Sequence, residues 1–229
     1  MSSPLSRRGF LRTGVKGALA ATALGVAAPA RASGQRTLPY PDTPDAAIQE
    51  LLDGNKRFVD KRLTSFEEDL AILKQNTVEK QKPFAALLSC ADSRVPVELV
   101  FDQSIGHLFV VRVAGNIATS EMIASLEYGA AVLGTKAIMV LGHRACGAVD
   151  AAIAGKPVPG QISQLFAPLR PAVESAGPDV EATIKANAKI QAKVLATASP
   201  LLAGMIADRK LKVVAGYYDI GTGQVALLP

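Results

Sequence analysis

Tryptophan is absent from the 229 residues, and only 5% are aromatic. A chain this poor in flat side chains has little to stack on bases, which argues against single-stranded nucleic acid as a ligand. Cysteine and histidine are scarce as well, at two residues each. Two cysteines allow one disulfide at most, so no disulfide framework holds the fold. Charged residues make up 20% against 49% hydrophobic ones, an ordinary soluble composition rather than a disordered one. No internal repeat or second domain boundary is visible, and the length suits one large domain.

The first thirty residues differ from the rest. Ser6-Arg7-Arg8-Gly9-Phe10-Leu11-Arg12 precedes an apolar, Ala-rich run over Gly17–Ala28, and Ala28-Pro29-Ala30 and Ala30-Arg31-Ala32 both read as cleavage sites. This is the order of an export signal, and the paired arginines match the twin-arginine type. The apolar run is too short and too rich in Gly and Ala for a stable membrane anchor. Residues 1–32 are therefore expected to be a cleavable signal recognised by twin-arginine export machinery, and the mature protein to be periplasmic or secreted. The net charge of +5 belongs to that segment. Arg7, Arg8, Arg12, Lys16 and Arg31 leave with it and no acid does, so the mature chain is neutral. The basic balance thus gives no reason to expect nucleic acid or anionic membrane as a partner.

Residues 33–43 read as an extended arm or linker and 44–229 as a single domain. Pro44 to about Lys61 carries Ile48, Leu51, Leu52 and Phe58 at helical spacing, and a second helix is expected over Phe66–Gln75. From residue 83 short apolar runs alternate with helical patterns. Phe84–Ser89, Leu108–Val113 and Ala137–Gly142 read as buried strands, and Ser120–Leu133 as a helix closed by Gly134. Helices are expected over about 161–175 and 179–207. A strand over Lys212–Tyr218 follows, then a turn at Gly221–Gly223 and a short partner over Gln224–Leu228. Tyr217 and Tyr218 are expected to pack the sheet edge, and His107 to sit in a solvated loop. Uniformly apolar strands with helical crossovers predict an α/β fold with a mostly parallel sheet flanked by helices.

Three of the four scarce soft ligands fall in two short segments, Cys90-Ala-Asp92-Ser-Arg94 and His143-Arg-Ala-Cys146. Each follows a predicted strand, at the end where parallel α/β sheets keep their sites. If the two strands are neighbours, their tips meet. Cys90, His143 and Cys146 are then a partial tetrahedral set for zinc with one position open, the arrangement of a catalytic site. Gly142 and Gly147 bracket the second turn and are expected to supply unusual backbone angles. Asp92 either fills the open position or accepts a hydrogen bond from a zinc-bound water, and Arg94 grips it in bidentate fashion. The plain alternative, a Cys90–Cys146 disulfide, leaves His143 and the Asp92–Arg94 pair without a purpose.

CADSRVPVE (90–98), LFVVRVAGN (108–116), SLEYGAAVLG (125–134) and LGHRACGAV (141–149) resemble the β-class carbonic anhydrases, and LLDGNKRF (51–58) looks like that family's N-terminal helix. The resemblance implies a β-carbonic anhydrase-like fold with an N-terminal helical arm, in a homodimer or homotetramer. It also implies reversible hydration of carbon dioxide to bicarbonate, with Zn2+ on Cys90, His143 and Cys146. Asp92 and Arg94 match the family's dyad, in which the Asp either ligates zinc or is released to the Arg. In the three-histidine carbonic anhydrase site, zinc lowers the pKa of bound water to about 7. Two thiolates donate more charge, so the water here is expected to be less acidic. A regulatory bicarbonate site that uses Trp in part of the family is not expected in its usual form. The alternative readings are hydrolysis of carbonyl sulfide or carbon disulfide on the same fold, and a non-catalytic zinc- or anion-binding protein.

Overall fold

The structure, a computed structural model, describes residues 40–65 and 77–229. The export signal over 1–32, most of the arm over 33–43 and the helix expected over Phe66–Gln75 lie outside the described residues. Helix α1 (Pro44–Val59) starts where its caps dictate. The Thr43 side chain accepts from the Ala46 N–H at 3.2 Å, and Pro44 takes the first position, where no N–H is needed.

The strands are β1 (Ala85–Ser89), β2 (Leu108–Arg112), β3 (Ala137–His143), β4 (Lys212–Tyr218) and β5 (Val225–Leu228), arranged β2-β1-β3-β4-β5. The first four are mutually parallel and β5 is antiparallel. Between them lie α2 (Val97–Val100), α3 (Ser120–Glu127), α4 (Gly147–Ala154), α5 (Phe166–Ala176), α6 (Val180–Ala198) and α7 (Pro200–Ala207). The central strands β1 and β3 are buried at every residue, as a sheet covered on both faces requires. Leu87, Met139 and Leu141 pack with Leu51 of α1 and with Phe101 on one face. Leu88, Ile138 and Val140 pack with Ala188 and Leu195 of α6 and Leu202 of α7 on the other. Each fully buried Leu stabilises the fold by about 1.5–3 kcal/mol.

β1 and β3 are hydrogen-bonded neighbours in register from Ala85–Ala137 to Ser89–Leu141. The loops carrying Cys90 and His143–Cys146 therefore leave adjacent strand tips.

Several expectations need correcting. The helix over Ser120–Leu133 is α-helical only to Glu127 and widens into a π turn over Tyr128–Val132, where Gly129 lies against the Phe109 ring. The helix over 179–207 is two helices meeting at 92°, because Ser199 caps α7 and Pro200 opens it. Helix α4 follows Cys146 directly, in a short segment whose small residues carry little helical pattern. Tyr217 and Tyr218 lie on β4, inside the sheet, and the edge strand on that side is β5. No single helix among the described residues is long and apolar enough to cross a membrane.

Candidate metal centre

Cys90 is the first residue after β1, His143 the last of β3, and Cys146 the N-cap of α4. All three are buried, and their ligand atoms lie within 4.8 Å of one another. The two sulfurs are 4.0 Å apart and both thiols are free, so the disulfide alternative does not hold. Two thiolates at about 2.3 Å from a tetrahedral zinc would stand roughly 3.8 Å apart, close to the spacing found. His143 Nδ1 lies 3.0 Å from the Arg144 carbonyl and donates to it, which leaves the lone pair on Nε2. That Nε2 is buried and has no hydrogen-bond partner among the described residues. A buried acceptor beside two thiols, with no well-formed hydrogen bond among the described residues, fits a soft divalent cation.

The electrostatics agree with this donor set. The Cys90 thiol is held down to about 4, first by its hydrogen bond with Cys146. His143 and the backbone N–H groups of Gly115 and Asp92 act in the same direction, against burial. Cys146 is pushed up, first by the same hydrogen bond and then by burial and the charge on Cys90. The pair releases one proton readily and the second reluctantly. A cation between the sulfurs removes the obstacle to the second.

The HRAC turn gets its shape from Ala145, whose φ is +56°, and not from the bracketing glycines expected to supply it. Gly142 is required for space instead. A Cβ there would stand 3.0 Å from Ile184 Cγ2 and 3.2 Å from the Ile184 carbonyl oxygen. A Cβ at Gly147 would meet nothing within 4 Å.

Asp92 and Arg94 pair as expected. Asp92 Oδ1 accepts from the Arg94 backbone N–H and Nε, both at 2.9 Å, and Oδ2 accepts from Nη2 at 2.7 Å. The Arg94 guanidinium is the main reason the Asp92 carboxyl sits well below the usual range. Asp92 Oδ2 is 3.9 Å from His143 Nε2, and the three-residue ligand group does not include it. Arg94 Nη2 also donates to the Ala145 carbonyl at 3.1 Å, tying the dyad to the HRAC turn.

Sequence reasoning missed Arg112 at the end of β2. Its Nε donates to the Cys90 carbonyl at 2.9 Å and its Nη2 to the Asp92 carbonyl at 2.6 Å, gripping the loop on both sides of Ala91. Nothing in the pattern of an edge strand distinguishes such an arginine from a solvated one. Tyr217 packs in the apolar cluster beneath Cys90 and Cys146. His107 lies edge-on to Tyr40 and tilted against Phe84 just before β2, at the opposite end of the sheet.

A family model described as carbonic anhydrase matches residues 85–225. The chain is 44% identical over 111 residues to Carbonic anhydrase 2 of Mycobacterium tuberculosis, covering 48% of this chain and 53% of that protein. It therefore spans about half the length of that relative. It is 32% identical over 200 residues to the carbonic anhydrase of Mycolicibacterium smegmatis, covering 80% of this chain and 93% of the other. Among solved structures, the β-carbonic anhydrase CafA of Aspergillus fumigatus superposes with a TM-score of 0.65 at 27% identity, covering 79% of this chain and 90% of that one.

Proposed function

The chain belongs to the β-class carbonic anhydrase family, and from that premise we propose that it catalyses the zinc-dependent, reversible hydration of carbon dioxide to bicarbonate and a proton. The observation that carries this reading is the convergence of Cys90, His143 and Cys146 around an unpartnered imidazole nitrogen. These three residues would hold the metal. Zinc, when bound, supplies Lewis-acid activation of water near neutral pH.

The chain's own residues do the rest. Asp92, kept ionised by Arg94, is a hydrogen-bond acceptor beside the ligand group, able to accept a hydrogen bond from the attacking water and fix its direction. Arg94 both aims that carboxylate and, through the Ala145 carbonyl, holds it at a constant distance from the ligand turn. Its half-exposed guanidinium also offers a positive charge to the bicarbonate product. Arg112 fixes the backbone between Cys90 and Asp92, so ligand and acceptor move as one unit.

The proposal extends to assembly and location. Tyr128 is 47% and Val132 65% exposed on one helical segment, apolar surface that a homodimer or homotetramer would cover. The Arg7-Arg8 signal supports export of the folded protein to the periplasm or beyond. Stopped-flow carbon dioxide hydration on the purified mature protein, with zinc measured on the same sample, tests the activity. Hydration that scales with zinc content supports it, and a zinc-loaded protein without hydration activity refutes it.

A further inference from the structure

Helix α6 carries two amides where its packing stripe calls for apolar side chains. Ile184, Ala188, Ala192 and Leu195 of that stripe are buried in the core. Asn187 and Gln191 lie among them, 0% and 3% exposed. Burying an amide costs free energy unless its donors and acceptor are used. Here they are put to use. Gln191 Nε2 donates to Asn187 Oδ1 at 3.0 Å and to the Pro168 carbonyl at 3.1 Å, while Gln191 Oε1 accepts from the Ala118 N–H at 2.9 Å. Asn187 Nδ2 donates to the Gly115 carbonyl at 2.8 Å. The pair thus reaches the loop after β2 at two points three residues apart, and ties it to α5 at Pro168.

That loop touches the ligand group. The Gly115 N–H donates to Cys90 Sγ at 3.3 Å. Gly115 has φ +78°, and a Cβ there would stand 3.3 Å from Leu169 Cδ1 and 3.4 Å from Ala148 Cβ, so the close approach needs glycine. The same residue therefore receives the Asn187 amide on its carbonyl and points its N–H at the sulfur. An N–H held against a thiolate stabilises its charge and fixes its direction.

Resting on the zinc reading above, we propose that Asn187 and Gln191 are positioning residues of the metal centre, acting through the Gly115 peptide on the Cys90 thiolate. Neither touches the ligand group. Their role is to keep the Gly115 N–H in place, so that Cys90 meets the metal preorganised.

The test compares the parent with Asn187→Ala, Gln191→Met and, as a control, Leu195→Ala, a fully buried position on the same helix packed in the core cluster with Leu88, Ile138 and Val140 and without a hydrogen bond to the Gly115 loop. Zinc affinity is measured by chelator competition, the cobalt-substituted proteins are assayed for their thiolate-to-metal charge-transfer absorption, and melting temperature is recorded for each. Asn187→Ala and Gln191→Met are expected to weaken zinc binding by about 10–100-fold and to shift the charge-transfer band. Leu195→Ala is expected to lower the melting temperature and leave affinity and band at the parent's values. If Asn187→Ala does not fold, Gln191→Met decides between the outcomes. Parent-like affinity and band in the amide variants, or an equal loss of affinity in Leu195→Ala, overturns the proposal. A parent that binds no zinc overturns the metal reading itself, a separate outcome.

Discussion

Asp92→Asn separates three properties that are often lost together. In the parent, Asp92 receives three hydrogen bonds from Arg94, two on Oδ1 and one on Oδ2. An asparagine keeps one oxygen for the backbone N–H and Nε, but sets an NH2 against the Nη2 donor. The Arg94 side chain is half exposed, so losing the pair should change the stability of the fold little. Zinc content should be unchanged, because Asp92 lies outside the ligand group. Hydration should fall steeply, since losing the acceptor that orients the attacking water should cost about 100-fold, or roughly 2.7 kcal/mol of barrier. The assay is stopped-flow hydration with a pH indicator, run beside metal analysis and thermal melting on the same preparation. Hydration within about threefold of the parent in a zinc-replete variant would refute the role given to the dyad.

Two further predictions bear on the scaffold. Asp102 has no exposed surface; burial raises its pKa, but Arg57 Nε at 2.6 Å and the N–H groups of Ser65 and Thr64 outweigh this and hold it below its ordinary value. Its contribution is therefore complete above about pH 4 and lost as pH falls through the lowered folded value. Urea titrations from pH 6 downward should show a steeper acid loss of stability in the parent than in Asp102→Asn, and equal slopes would contradict this. Gly142→Ala should destabilise by about 1–3 kcal/mol, because its methyl would press on the Ile184 side chain and carbonyl. An unchanged melting temperature would show that α6 gives way freely.

Much of the fold is legible in the sequence. The runs at 84–89, 108–113, 137–142 and 212–218 form parallel strands because each is mostly apolar, with Ser89, Arg112 and Lys212 at or near the strand ends, the mark of strands in a sheet covered on both faces. The ligand group is legible because soft ligands are so scarce that their clustering in two strand-tip motifs stands out. The sharp turn between α6 and α7 has a visible signal in Ser199-Pro200, a cap followed by a first-position proline, which the helical pattern continuing on both sides of it masks. The π turn at Tyr128 is not legible, since the residue its Gly129 packs against, Phe109, comes from another element. Arg112 is equally silent, because a strand-end arginine looks solvated until the neighbouring loop is placed. Asn187 and Gln191 stand between these cases. Their spacing sets both amides inside the apolar stripe, a mismatch visible in sequence whose purpose emerges only with the Gly115 loop.

The most direct measurement is zinc X-ray absorption on the mature protein purified without added metal, with free thiols titrated on the same sample. One zinc per chain, two sulfur neighbours at about 2.3 Å and lighter ligands near 2.0–2.1 Å are the expected result. A metal-free preparation, or Cys90 and Cys146 recovered bonded to each other, would contradict the account at its root.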